Sequence, residues 1–408
     1  MNKLLEKLVN FVFLSSLLLP SFQVTSRFSI RIEDILILVF IAFLILPNLL
    51  VKSTYFNFNK YGVIYVLVLL SIIISCFYGY IVLYVPFSGG DANEFIRMLK
   101  PLILILLINH IDENDLIPRI YKTVKWGSIY LIFIGIIQYF NFLGLGSIFS
   151  TVYGVEHHLH SLDVDNLGRQ RIVLSGSGPN DGANIALLFL LFNLFSYIKS
   201  KRKIYLFLII GLGMCILFTS SRTVLLCSAA AVAIIVFKYG AWYFKILLIL
   251  IFLGIGIYVL PHFNYIYEGF QLAISGNNNS LLRRFDKWAD AYELFKQSPF
   301  FGWGFSKSIH ETVVDGEYFL LLRRFGLIGT FLILLFISFP IFIRKKSKSD
   351  LLLIAKFTAY SALFIMVTNN FFNSYQLITA NVILVSLAIK INNNESQSLS
   401  YDNRSHAL

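Results

Sequence analysis

Arg222 lies in "TSSRTVLLC" (219–227), where the chain leaves one apolar run and enters the next. Each run holds about 15 apolar residues, or about 22 Å of helix against a hydrocarbon layer of about 30 Å. The tip of such a hairpin stops short of the headgroups, where a guanidinium costs about 2.5 to 3.5 kcal/mol unless something compensates. A bound anion would compensate, as would snorkelling toward water or a nearby carboxylate. More arginines occur in "NLGRQRIVLSGSGPNDGAN" (Arg169, Arg171) and "LLRRFDKWADAYELF" (Arg283, Arg284). Guanidinium forks suit diphosphate oxygens because they form paired, charge-assisted hydrogen bonds that an ammonium reproduces less well. Singly, each of these arginines reads more readily as a solvated or snorkelling side chain; the set is what points to a diphosphate. "SGSGPNDGAN" could offer free backbone N–H groups at a helix start, or be plain loop-to-helix punctuation. It lacks the GK[ST] element of a P-loop.

Acid or base candidates are Asp315 and Glu317 in "VVDGEYFLLLRRFGLIG" and His310. A carboxylate there could accept a proton from a hydroxyl if its surroundings tune it. His157, His158 and His160 in "EHHLH" have no further ligands at a confirming spacing, and Cys76, Cys215 and Cys227 are scattered in apolar runs, so no metal site is read from them. Asp163 and Asp165 read as solvated loop acids.

These residues must be positioned by membrane helices. The 408-residue chain is 57% hydrophobic and 14% charged, with a mean hydropathy of +0.74, which places it among integral membrane proteins of all-α, polytopic class. About 12 spans are read near 4–20, 33–50, 61–80, 96–110, 124–143, 182–198, 204–218, 222–238, 242–260, 318–343, 351–369 and 374–391. The fourth is interrupted by Arg97 and Lys100. The formal charge of +12 sits largely in short runs such as 199–203 and 344–348, which read as topology signals rather than as a nucleic-acid surface. With the N-terminus cytoplasmic, the basic clusters face inward, and both termini are cytoplasmic. Two long outward loops follow, about 144–182 and 261–317, and long loops in a tight bundle are usually functional. In the second, Leu281, Phe285, Trp288, Tyr292 and Phe295 mark an amphipathic helix over 281–297, stopped by Ser298 and Pro299 and followed by "PFFGWGF". Residues 1–391 read as one membrane domain and 392–408 as a disordered cytoplasmic tail. No conspicuous row of ionisable residues is read at mid-membrane, which argues against a proton-coupled carrier.

The order of elements resembles the O-antigen ligase and polymerase superfamily. The likeness rests on "GSGPNDGANIALLFL", "FTSSRTVLL" and the succession Arg284, Trp288, Pro299, Gly302, Gly304, Tyr318, Gly326 and Gly329. It implies a GT-C-like architecture in the bacterial cytoplasmic membrane. The implied activity is metal-independent, cofactor-free glycosyl transfer between undecaprenyl-diphosphate-linked oligosaccharides on the outer face, among membrane lipids and with a chain-length regulator as partner. Arg222, Arg284, Arg171, Arg169 and Arg283 would hold the donor diphosphate. Asp315, ahead of Glu317, would act on the acceptor hydroxyl, and Trp288, Trp303 and Tyr318 would meet sugars or belong to an interfacial aromatic belt. Ligases of this superfamily carry a His-Asn pair where this chain reads Asp315-Gly316, so the resemblance favours a polymerase. A ligase and a lipid-linked glycan flippase are the alternatives.

Overall fold

The computed structural model describes residues 2–40, 59–146, 171–246, 279–345 and 349–405, less 21, 26–27, 112, 243–244, 310–313 and 315, and with 148 and 271 in addition. The chain is an all-α polytopic membrane protein. Its helices are α1 (Asn2–Leu18), α2 (Ile32–Phe40), α3 (Lys60–Ile81), α4 (Gly89–His110), α5 (Glu113–Phe140), α6 (Pro179–Ser200), α7 (Lys203–Thr219), α8 (Arg222–Tyr239), α9 (Asn279–Gln297), α10 (Glu317–Phe342), α11 (Leu351–Ile365) and α12 (Tyr375–Ser405). One short antiparallel hairpin, β1 (Phe22–Thr25) and β2 (Phe28–Ile30), joins α1 to α2. Among the described residues, α3, α5, α6, α8, α10 and α12 are long and apolar enough to cross a bilayer, and α7 and α11 are shorter apolar helices. Large apolar side chains such as Phe77, Phe207 and Phe331 are more than half exposed, as lipid-facing positions of a bundle are.

Helix starts follow local chemistry. Asn59 caps α3 by accepting from the Gly62 N–H at 2.8 Å, and Ser88 and Asp91 form a reciprocal capping box on α4. That box starts α4 at Gly89, where the sequence places a span only from 96, because the charges Asp91, Glu94 and Arg97 mask its first turns. The interrupting Lys100 is buried and pairs with Asp34 of α2. Residues 392–405, expected to be part of a disordered tail, continue α12 to Ser405. The expected span 242–260 lies almost wholly outside the described residues.

The chain, read from sequence as one domain, groups into two compact units, 1–120 with 287–408, and 121–286. In the first, α10 packs on α3 and α11, and α12 packs on α1, α4 and α11. Tyr61 stacks on Phe336 with ring centres 4.5 Å apart. In the second, α6 packs on α7 and α8 and is tied to α5 by Asn193, whose Nδ2 donates to Ser128 Oγ at 2.7 Å.

Candidate functional site

α10 is broken inside its apolar run. Gly326 takes φ 60° and ψ −165°, a region that L residues essentially cannot occupy. The break frees carbonyls before it and N–H groups after it, which at membrane depth must find protein partners. The "PFFGWGF" segment supplies them. The Trp303 and Gly304 N–H groups donate to the Arg323 and Arg324 carbonyls at 2.9 and 2.8 Å, while the Leu327 and Ile328 N–H groups donate to the Pro299 and Phe300 carbonyls at 2.8 and 3.4 Å. Gly302, at φ +71°, comes so close that a Cβ there would stand 2.5 Å from the Arg324 carbonyl. The Gly-x-Gly motif therefore serves to splint a discontinuous helix.

The splint is anchored at both ends. Trp303 Nε1 donates to the Leu294 carbonyl of α9 at 2.8 Å. On the far side, the Lys307 N–H donates to Asp91 at 3.0 Å and its ammonium pairs with Glu94 at 2.6 Å. Trp288 of α9 stacks on Phe319 with ring centres 5.1 Å apart and covers a small core of Ala291, Val314 and Leu320.

At the start of α10, Glu317 is fully buried. Its Oε2 accepts from the Phe371 and Phe372 N–H groups at 2.6 and 2.9 Å, and its Oε1 from the Asn373 N–H and Nδ2, both at 2.7 Å. A carboxylate has about four acceptor sites, so this one is used up. Glu317, expected as an acid or base, holds the α11–α12 connection against α10 through these bonds. Asn373 carries the network onward, its Oδ1 accepting from Arg324 at 3.0 Å. Tyr318 donates to the Leu363 carbonyl at 2.7 Å.

Two residues that the sequence did not single out stand out here. Arg323 and Arg324 are 2% and 7% exposed within α10, which qualifies the expectation of a membrane interior without conspicuous ionisable residues. The signal was present: two arginines inside an apolar run are costly and therefore informative. Their position next to a helix-breaking glycine became visible only in the fold.

The second unit holds another arginine cluster. Arg171 Nε donates to the Thr219 carbonyl at the tip of the α7–α8 hairpin at 2.9 Å, and its Nη2 lies 3.4 Å from Asn180 Oδ1 at the start of α6. Arg222 opens α8 at the same tip and is half-buried. α7 and α8 have 17 and 18 residues, about 26 to 27 Å, so their shared tip lies at the edge of a hydrocarbon core of about 30 Å and not clear of it. Gln138 clamps the chain that leads into α6 by donating to and accepting from Leu174 at 2.9 and 2.8 Å. Arg283 is exposed and Arg284 half-buried on α9. Asp315, His310, Arg169 and the 157–160 histidines lie outside the described residues. No group of three or more potential metal ligands occurs among the described residues.

Comparison with curated proteins finds no match. A family model described as O-antigen ligase matches residues 205–319, from α7 through α8 and α9 to the first turn of α10. That match supports placing the chain in the O-antigen ligase/polymerase superfamily.

Proposed function

We propose that this protein is a polysaccharide polymerase that joins lipid-diphosphate-linked oligosaccharides on the outer face of the bacterial cytoplasmic membrane. The observation that carries the reading is the Arg171 hydrogen bond to the Thr219 carbonyl, which draws a second guanidinium to the sunken hairpin tip where Arg222 begins α8. Two forks at one tip suit a diphosphate. The family match over residues 205–319 supports an O-antigen ligase/polymerase-type activity and includes that tip.

In the proposed reaction the acceptor hydroxyl oxygen bonds to the donor's anomeric carbon. The bond from that carbon to the diphosphate oxygen breaks, the isoprenoid diphosphate leaves with the electron pair, and the hydroxyl proton passes to a carboxylate. Arg171 and Arg222 neutralise the charge that develops on the leaving group, with Arg169, Arg283 and Arg284 as further donor contacts. Asp315 is the proposed base, because the four hydrogen bonds to Glu317 leave its carboxylate nothing to accept with. No metal or cofactor enters this scheme.

The test is a deletion strain and its complementation. Loss of a polymerase leaves single repeat units, and Arg222→Ala or Arg171→Ala fails to restore long chains. Full-length polymer from both variants would remove the roles given to these residues. Unattached long chains in the deletion strain would instead support a ligase, the second reading.

A further inference from the structure

Arg323 and Arg324 are adjacent, buried and short of partners. The Nε of each is buried with no hydrogen-bond partner among the described residues. Arg324 keeps Asn373 and feels the charges of Glu94, Glu317 and Asp91. Those acids are already engaged: Glu94 with Lys307, Glu317 with the 371–373 backbone, and Asp91 with the Lys307 N–H and the α4 cap. Among the described residues, the charge that bears on Arg323 is that of Arg324, which repels it. Two like charges removed from water together are strongly unfavourable unless an anion accompanies them.

The backbone at the break narrows the choice of donors. The helix restarts after Gly326, but its first N–H groups, those of Leu327 and Ile328, are taken by Pro299 and Phe300. An anion here is met by guanidinium side chains and not by a helix terminus. The pair also lies beyond the 205–319 segment matched by the family.

We propose that Arg323 and Arg324 form an internal anion site at the break in α10 that takes the diphosphate of an isoprenoid-linked glycan. Two forks with two positive charges match a diphosphate better than a singly charged phosphodiester headgroup. The identity of the ligand rests on the polymerase reading above; the demand for an anion rests on burial and missing partners.

The experiment uses the purified full-length chain in nanodiscs of neutral phosphatidylcholine, with farnesyl diphosphate as the probe and thermal unfolding as the readout. Farnesyl diphosphate raises the unfolding temperature of the wild type, and farnesyl monophosphate needs about tenfold more to do the same. Arg323→Met and Arg324→Met fold, the former with an unliganded unfolding temperature equal to or above that of the wild type, and in an Arg171→Ala, Arg222→Ala background, which removes the forks at the hairpin tip, both lose the diphosphate shift that remains. Arg323→Lys, which keeps the charge but not the fork, binds about tenfold more weakly and decides the matter if the Met variants do not fold. Undiminished binding by Arg323→Met or, failing that, by Arg323→Lys would overturn the site. Equal protection by phosphatidylglycerol would also overturn it, assigning the anion to lipid headgroups. Absence of any shift in the wild type overturns the site as well, while the chain lengths in the deletion strain judge the polymerase reading separately.

Discussion

Glu317 and Arg323 stand about two turns apart on α10, both buried, and their surroundings treat them in opposite ways. Around Glu317 the connection from α11 to α12 is wrapped so that four donors converge on one carboxylate. Around Arg323 the splinting loop satisfies the backbone, and the guanidinium Nε has no hydrogen-bond partner among the described residues. A buried charge with every partner in place is a fastener. A buried charge without partners is a socket, because its cost is recovered only when something else arrives.

That contrast can be broken most sharply at Glu317. Glu317→Ala strands four buried donors, and we expect a loss of at least about 3 kcal/mol, or failure to accumulate in the membrane. Thermal unfolding in detergent and expression level measure it. Arg323→Met should have the opposite sign and leave unliganded stability unchanged or higher. A Glu317→Gln variant with wild-type unfolding but no glycan extension would reverse the assignment and make Glu317 a chemical group.

The next largest effect belongs to the break itself. Gly326→Ala imposes a forbidden backbone geometry of about 1 to 3 kcal/mol and drives a methyl into the Phe300 carbonyl. It should lower the unfolding temperature and weaken diphosphate binding together, since both arginines hang from the same turn. In the second unit, Gln138→Leu removes both hydrogen bonds to Leu174 and should cost about 1 to 3 kcal/mol. Its effect on glycan length should track that of Arg171→Ala, because Leu174 and Arg171 lie on the same approach to α6.

The smallest effect is expected on the exposed face of α9. Lys296 pairs with Glu293 at 2.7 Å, and this hydrogen bond holds the ammonium above the ordinary lysine range. Any stabilisation is complete below the unfolded lysine value and fades as pH rises through the raised one. Glu293→Gln should leave unfolding unchanged at neutral pH, since exposed pairs contribute little.

The same contrast explains what could be read from the sequence. The ends of α1, α3, α7, α8, α9 and α10 follow from apolar runs and stop signals such as Ser298-Pro299, and fall within a residue or two of expectation. The first turns of α4 escaped because they carry Asp91, Glu94 and Arg97, and the role of Asp91 and Glu94 as an anchor depends on Lys307, far away in sequence. Arg222 stood out in the sequence because charge beside a short hairpin is a local signal, whereas Arg171 was one of a set of outward arginines and its hydrogen bond to Thr219, far away in sequence, came from the fold. Glu317 was legible as important but not as a fastener, because its partners come from 371–373. Arg323 and Arg324 showed in the sequence as two charges inside an apolar run, but their place beside the break at Gly326, and an Nε on each without a hydrogen-bond partner among the described residues, emerged only from the fold.

Reconstitution tests the central claim most directly. The purified protein in liposomes is given a lipid-diphosphate-linked repeat unit, with a chelator present, and products are separated by length. The account predicts a ladder of extended chains with release of isoprenoid diphosphate, abolished by Arg222→Ala. Single repeat units alone, from a protein that still binds the diphosphate, would contradict it.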